Sequence, residues 1–278
     1  MHGADVDAAD SRTDGTIAVV VLTHNRVHLL HRCVENVLAR ASPATTEIVL
    51  WDNASTDGTE AYLASLGDPR IRVVRSERNI GQNGYAQAFA LTTADYLVEL
   101  DDDVVDAPPH WDARLLAAFR RLPAVGFLAA DLEDDPHDEA SHVRYRVRPH
   151  EYEAATVNGV ELLRGPTGGA MAMTSRELYD RVGGFRQHPR LVFWQEEPAY
   201  IEDIGTLGFE AAVLADLRVR HTGGPYYTEV PAEKAAFWDA YWKRQARRAR
   251  VKRALLAMPF LGRLNARYGW FRDPRTAG

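Results

Sequence analysis

Residues Leu97–Val104 read LVELDDDV, an apolar run that ends in three consecutive carboxylates, Asp101, Asp102 and Asp103. Adjacent like charges repel one another, and a buried strand gains nothing from them unless water or a cation offsets the charge. The run is therefore either a solvated turn after a strand or a ligand site. Its position directly after an apolar segment favours a ligand site.

Strands and helices alternate in the sequence that leads to this run. Thr16–Leu22 (TIAVVVL) is a β-branched stretch typical of a strand buried on both faces, Leu29–Ala39 has apolar residues at helical spacing, and Glu47–Trp51 is a second strand. The same alternation predicts a helix at Thr59–Leu66, a strand at Ile71–Arg75, a helix at Gly84–Thr92 and a strand at Tyr96–Leu100. This order predicts an α/β fold with a mostly parallel, Rossmann-like sheet flanked by helices, and ligands at the carboxyl ends of its strands.

The sequence beyond Asp103 is less regular. Residues 131–158 carry many charges and are expected to form an exposed excursion or flexible loop. A glycine-rich turn, a short strand and a helix are predicted in RGPTGGAMAMTSRELYDRVGGF, and AAVLADLRVRH is predicted to be a strand pair ending at His221.

Composition limits the class of protein. The chain has 278 residues, of which 46% are hydrophobic, so it can bury a full core. Its single cysteine, Cys33, excludes an intrachain disulfide and favours a reducing cytosol. We expect residues 1–15 to be a disordered leader, and we find neither a signal-peptide pattern nor an apolar run of the roughly 20 residues that span a bilayer.

The charge is unevenly distributed along the chain. Residues 243–275 hold 11 Lys and Arg against a single acid, whereas the whole chain carries a net charge of -6. The protein is therefore an acidic body with a basic tail, which argues against nucleic acid as a partner.

Two further loops follow predicted strands. Asp52 begins DNASTDGT at the end of the second strand, where its carboxylate is suited to hydrogen-bond a base or a ribose. Thr23-His24-Asn25-Arg26 follows the first strand and can meet a nucleotide. The alternative for both loops is a turn that caps the next helix. No GxxxxGK[ST] or GxGxxG motif occurs, so phosphate-loop kinases and dinucleotide enzymes are disfavoured.

The D-x-D spacing of Asp101 and Asp103 offers oxygen ligands to a hard divalent cation such as Mg²⁺ or Mn²⁺. A cation at this position can bridge to a diphosphate and neutralise a phosphate leaving group.

Taken in order, VVVLTHNR, IVLWDNASTDGT, RNIGQNG, YLVELDDDV and TGGAMAMTSRELYDRVGGF resemble the family 2 glycosyltransferases of the GT-A fold, over residues 16–222. The resemblance implies an inverting enzyme that moves a hexosyl or deoxyhexosyl group from a UDP-, dTDP- or GDP-type sugar to an acceptor hydroxyl, with Mn²⁺ or Mg²⁺. The implied acceptor is a glycan, a lipid-linked sugar or a small molecule.

The resemblance also implies roles for individual residues. The expected metal ligands are Asp103, Asp101 and His221, and a structural hydrogen-bond donor is the alternative for His221. Gly168, Gly169 and Trp194 are expected beside the acceptor or the sugar, although Trp194 is equally suited to anchor a helix. The expected nucleotide-sugar contacts are Thr23, Asn25, Arg26, Asp52, Asn79, Gly81, Asp101 and Asp102.

The family's general base is the second acid of a pair that opens a helix. Counting back from Gly208 by the usual helix length leads to Glu196 and Glu197, with Glu where Asp is common. We expect Glu197 to be the base and Glu196 to support it. The pair Glu202-Asp203 is the competing assignment, and a solvated helix face is the alternative for all four acids.

Two other functions stay open at this point. A metal-dependent nucleotidyltransferase shares a related fold, but it normally has a basic, glycine-rich loop after the first strand, and THNRVHLL is not one. A catalytically silent sugar-nucleotide or glycan-binding module would lack donor hydrolysis in the presence of Mn²⁺.

The predicted organisation is a catalytic domain at 16–225, with a nucleotide-binding half at 16–104 and an acceptor half at 105–225, and a helical basic extension at 226–278. The extension carries an aromatic stripe that is suited to pack on the domain or on a second subunit in a homodimer. Its basic and apolar segment is also suited to an anionic membrane surface. The expected location is the cytoplasm, with peripheral contact at the inner membrane surface as an option.

Overall fold

The computed structural model describes residues 15–134, 149–187 and 196–222, together with the helical positions Lys243, Arg247 and Arg250. The chain divides into two compact units, Met1–Tyr227 and Thr228–Gly278, and the account below concerns the first. The predicted leader, Trp194 and nearly all of the basic extension lie outside the described residues.

Ten strands and six α-helices occur in the described part of the first unit. The strands are β1 Ile17–Thr23, β2 Thr45–Asp52, β3 Ile71–Arg75, β4 Tyr96–Asp101, β5 Val104–Asp106, β6 Val125–Asp134, β7 Glu153–Val157, β8 Val160–Arg164, β9 Met171–Ser175 and β10 Glu210–His221. The helices are α1 Val27–Arg40, α2 Thr59–Ala64, α3 Asn83–Phe89, α4 Trp111–Arg120, α5 Arg176–Arg181 and α6 Glu196–Thr206, with a 3-10 turn at Pro149–Glu151.

All ten strands belong to one sheet in the order β3-β2-β1-β4-β9-β6-β10-β8-β7, and β5 pairs with β10. Strands β3, β2, β1 and β4 are parallel, β9 runs antiparallel between β4 and β6, and β10 is parallel to β6. The carboxyl ends of β1, β2, β4, β6 and β10 therefore meet at one edge, which we call the catalytic edge. The predicted α/β class with a mostly parallel sheet is confirmed.

Two apolar layers cover the sheet. Strand β1 is buried along almost its whole length, as its continuous apolar sequence requires. Helices α1 and α4 contribute Leu30 and Trp111 to the core on one face, whereas α3 and α6 contribute Tyr85 and Tyr200 on the other. A strand with core on both faces gains burial at every residue, and this gain holds the loops of the catalytic edge in place.

Among the differences between the structure and the predicted elements, three concern the end of α3, residues 153–164 and the final strand. Helix α3 ends at Phe89 rather than Thr92, because the Arg176 guanidinium binds the carbonyls of Phe89 and Thr92 and stops the helix there. Residues 153–164 form the hairpin β7–β8 around Asn158-Gly159, and β6 continues to Asp134. The prediction of a loop over 131–158 is therefore wrong at both of its ends. Both turn residues have positive φ, 50° and 72°, which suits this dipeptide to a tight hairpin.

The third difference concerns the final strand. AAVLADLRVRH is one strand, β10, rather than a pair, and its register against β6 shifts between Leu214 and Arg218. The extra residues form a bulge that lets a single strand bend and continue to the catalytic edge. His221, the last residue of β10, lies beside β5 at that edge.

Candidate active site

Two of the three aspartates, Asp102 and Asp103, are held by residues at the end of β1 and in the loop that follows it. Thr23 Oγ1 donates to Asp102 Oδ2 at 2.6 Å, and Arg26 Nη1 lies 3.0 Å from Asp102 Oδ1 and 3.2 Å from Asp103 Oδ2. Asp102 and Asp103 are buried, so these contacts replace part of the water they lose. The structure thus brings four of the predicted site residues together.

A second contact joins the run to the end of β10. His221 Nε2 lies 3.1 Å from Asp103 Oδ1, and both side chains are buried. One ligand atom from each of Asp101, Asp103 and His221 lies within 4.8 Å of the others. Two carboxylates and an imidazole at this separation fit a divalent cation such as Mn²⁺ or Mg²⁺.

Tyr85, on α3, is a site residue that the sequence analysis missed. Its hydroxyl lies 3.1 Å from Asp101 Oδ1 and donates at 3.1 Å to the carbonyl of Leu100. Burial raises the pKa of Asp101, and the Asp103 carboxylate raises it further. Burial likewise raises the pKa of Asp102 to about 6, against the opposing effect of Arg26. The run is therefore a desolvated acidic site rather than a solvated turn.

The loops after β1, β2 and β3 converge on Asn53, which the sequence analysis also missed. Its backbone N–H donates to the carbonyl of Thr23 at 2.9 Å, and its side chain donates to the carbonyl of Gly81 at 3.1 Å. Asn79 Oδ1 accepts from the Gly81 N–H at 2.8 Å. Asn79 and Gly81 thus shape the third loop, and Gly81 has the positive φ of 58° that this turn requires.

Asp52 and Asn25 also act within these loops. Asp52 Oδ1 accepts from the Ser55 N–H at 2.8 Å, and Asp52 Oδ2 lies 3.6 Å from Arg75 Nε. Asn25 Oδ1 accepts from the Thr56 N–H at 2.7 Å. Both side chains therefore stabilise the loops of the catalytic edge. The nucleotide contacts predicted for them stay predictions.

A second acidic cluster lies on the α6 side of the sheet and consists of Glu99, Glu196 and Glu197, whose nearest carboxylate oxygens lie within 4.8 Å of one another. Glu196 and Glu197 form the first turn of α6, where the helix dipole favours negative charge. Gly169 donates its N–H to Glu197 Oε1 at 3.2 Å. Gly169 is buried beside this cluster, whereas Gly168 is exposed.

Burial is the largest cause of the raised pKa values in this cluster. It raises the pKa of Glu99 and Glu196 well above the ordinary value, and repulsion from Glu197 raises both further. The pKa of Glu197 is also raised by burial, against the lowering effect of its backbone hydrogen bonds. Glu99 is the third residue that the sequence analysis missed, and its signal was a glutamate inside the apolar strand β4.

The competing pair, Glu202-Asp203, faces elsewhere. Asp203 is hydrogen-bonded to the guanidinium of Arg186, and Glu202 Oε2 lies 3.5 Å from Arg186 Nη1. Neither acid belongs to the clusters found among the described residues. The described part of α6 runs from Glu196 to Thr206, and Gly208 follows it with a φ of 86°.

Residues 18–189, more than half of the chain, match the family described as Glycosyl transferase family 2. The chain belongs to this family. Glycosyl transferase family 2 is thus the family that the motifs of the catalytic edge resembled, and that prediction is confirmed.

Two curated relatives are similar to parts of this family 2 chain. The succinoglycan biosynthesis protein ExoO of Rhizobium meliloti (strain 1021) is 31% identical over 111 residues, which are 40% of this chain and 30% of ExoO. The putative colanic acid biosynthesis glycosyl transferase WcaA of Escherichia coli (strain K12) is 29% identical over 106 residues, or 37% of this chain and 36% of WcaA. The matches thus span about a third of each relative's length.

A solved structure is similar in fold. The mannosyltransferase PcManGT from Pyrobaculum calidifontis, in complex with GDP-Man and Mn²⁺, has a TM-score of 0.52 at 22% identity, over 74% of this chain and 56% of PcManGT. This likeness confirms the GT-A fold expected of a family 2 member.

Proposed function

We propose that this chain is an inverting glycosyltransferase that moves a sugar from a nucleotide-diphosphate donor to an acceptor hydroxyl and depends on a divalent metal. The observation that carries the proposal is the presence of two acidic clusters at and beside the carboxyl end of β4. Asp101, Asp103 and His221 form a set suited to a metal, and Glu99, Glu196 and Glu197 form a set suited to a base. Membership of the family and the glycosyl transferase name of WcaA support it.

The donor would bind over the loops after β1, β2 and β3. Asp101, Asp103 and His221 would hold Mn²⁺ or Mg²⁺, as their spacing and donor atoms permit. The chemistry that this ion supplies when bound is stabilisation of negative charge on the departing diphosphate. Asp52 and Asp102 would accept hydrogen bonds from the base or the ribose, and PcManGT, whose complex contains GDP-Man and Mn²⁺, supports a donor of this class.

Glu197 would act at the acceptor. Its carboxylate would remove the proton of the acceptor hydroxyl as the oxygen attacks the anomeric carbon, while the bond from that carbon to the diphosphate breaks. The Gly169 N–H orients one oxygen of the half-buried Glu197 carboxylate. The bond is formed on the face opposite the leaving group, so the anomeric configuration is inverted.

The location and assembly are part of this proposal. Among the described residues, no helix has the length and apolarity needed to cross a membrane. We propose a cytoplasmic enzyme whose basic extension, residues 226–278, makes peripheral contact with an anionic membrane or packs in a homodimer, with a glycan, lipid-linked or small-molecule acceptor. Sedimentation with anionic vesicles at low and high salt tests the membrane contact, because salt screens such attraction.

The central test is a donor screen followed by turnover. We expect one of UDP-, GDP- or dTDP-sugars to raise the thermal stability of the protein in the presence of Mn²⁺ and to be hydrolysed slowly without an acceptor. Asp103→Asn should abolish both effects, whereas Asp106→Asn, on the exposed surface of β5, serves as the matched control. Donor binding without hydrolysis by the unchanged protein would instead identify a silent binding module.

A further inference from the structure

Glu99 is a buried acid in the middle of a central strand. Strand β4 pairs with β1 on one side and with β9 on the other, and Glu99 lies beside Val20 and Ala172. Its side chain is 1% exposed, and neither carboxylate oxygen has a hydrogen-bond partner among the described residues. Burying a carboxyl group without partners lowers stability, so packing alone gives no reason for a glutamate here.

The Glu99 carboxyl group lies directly against Gly169. A Cβ added at residue 169 would overlap Glu99 Oε1 and would lie 2.9 Å from Glu197 Cγ. Glycine is therefore required at 169 because the two glutamates fill the space that a side chain would occupy. The same glycine donates its N–H to Glu197 Oε1.

We propose that Glu99 is a positioning residue that holds the Gly169 backbone in the place from which its N–H orients Glu197. This inference rests on the proposed role of Glu197 as the general base. The side chain must reach Gly169 from the middle of β4, and it must present a polar group to the nearby Glu196 and Glu197 carboxylates. Glutamate and glutamine meet both conditions, whereas aspartate is one methylene too short and leucine is apolar.

Two variants separate the effect of the length of the residue 99 side chain from the effect of its charge. Glu99→Asp keeps the charge and withdraws the carboxyl group from Gly169, so kcat should fall about 10- to 100-fold, the size of loss that a displacement of about 1 Å in a catalytic group causes. Glu99→Gln keeps the reach and should restore kcat to within about threefold of the unchanged protein. Calorimetric affinity for the donor with Mn²⁺ should be the same in both. The reverse order of kcat, with Glu99→Asp active and Glu99→Gln impaired, would overturn the proposal.

A second measurement shows whether Glu99 acts through Glu197. In a Glu197→Gln background, Glu99→Asp should cause no further loss of the residual turnover, because the group being positioned is already gone. An independent further loss in this background would mean that Glu99 acts on another part of the site, and the proposal would fail.

A stability cycle tests the contact without any assay of turnover. Gly169→Ala should lower the melting temperature strongly in the unchanged protein and less in a Glu99→Ala background, where the severe overlap with Glu99 is gone and only the 2.9 Å contact with Glu197 Cγ remains. Equal losses in the two backgrounds would exclude the contact. Should no donor be turned over by the unchanged protein, the proposed function would fail while this cycle still decides the Glu99–Gly169 contact.

Discussion

His221 Nε2 lies 3.1 Å from Asp103 Oδ1, which joins the last residue of β10 to the turn after β4. The two residues are far apart in the sequence, and the parallel arrangement of β4 and β10 brings both to the catalytic edge. An imidazole beside a buried carboxylate is either a structural hydrogen-bond donor or a second ligand of one cation, and the metal site proposed above uses the second assignment, with Asp101 close by.

Replacing Asp103 should therefore remove metal-dependent donor binding. We expect Asp103→Ala to fold, because the residue lies in a turn beyond the strand, and to lose the dependence of donor affinity on Mn²⁺. Calorimetric titration of the donor with and without Mn²⁺ measures this, with Asp106→Asn as control. An unchanged metal dependence in Asp103→Ala would exclude the D-x-D assignment.

Arg26 should compete with the cation. Because Arg26 Nη1 contacts Asp103 as well as Asp102, a cation held by Asp103 must share that carboxylate with the guanidinium. Arg26→Ala should bind Mn²⁺ about 2- to 5-fold more tightly in the absence of nucleotide, which is the range expected for a partly exposed ion pair. Titration of Mn²⁺ alone measures this effect. Arg32→Ala, an exposed change on α1, is the matched control, and an equal or weaker Mn²⁺ affinity in Arg26→Ala would contradict the competition.

The Glu197 carboxylate should be needed for turnover and not for donor binding. Glu197→Gln should lower kcat by about 10² to 10⁴, because an amide cannot accept the proton of the acceptor. Single-turnover kinetics and donor calorimetry separate the two effects, and Glu202→Gln, on the same helix but beside Arg186, should be close to the unchanged protein. If Asp203→Asn were inactive and Glu197→Gln active, the base would belong to the other pair.

The pH dependence of kcat/KM should show the ionisation of Glu197. Burial raises the pKa of Glu197 above its ordinary value of 4.5, so the ionised base is lost as the pH falls through that raised pKa. We expect kcat/KM to decline on the acid side at a pH above 4.5, under saturating metal. The Glu197→Gln variant should lack this decline, and a flat profile down to pH 4.5 in the unchanged protein would rule out a base with a raised pKa.

The sheet was predictable because β1 is a continuous apolar run and β2 and β4 are mostly apolar, so burial dominates the energetics of all three strands. Residue types at the ends of those strands also pointed to Asp101 and Asp103. Tyr85, Asn53 and Glu99 were missed, because each acts through contacts with segments far away in the sequence. The end of α3 was misplaced for the same reason, since Arg176 lies far from the helix in sequence yet binds its last carbonyls. The β7–β8 hairpin carried a local signal, Asn158-Gly159, that charge in the preceding residues obscured.

The antiparallel strand β9 has a consequence for how such a chain can diversify. The chain leaves β6 at this edge, forms the hairpin β7–β8, which pairs with β10, and returns at β9 on the same edge, next to Asp101, whose N–H donates to the carbonyl of Ala170. Sequence inserted or deleted between β6 and β9 therefore begins and ends at the edge that holds Asp101, and it does not shift any of the strands β1 to β4. With the function proposed above, evolution can exchange this connection as one piece and change acceptor preference, while the loops after β1, β2 and β3, the three aspartates and the histidine keep their places.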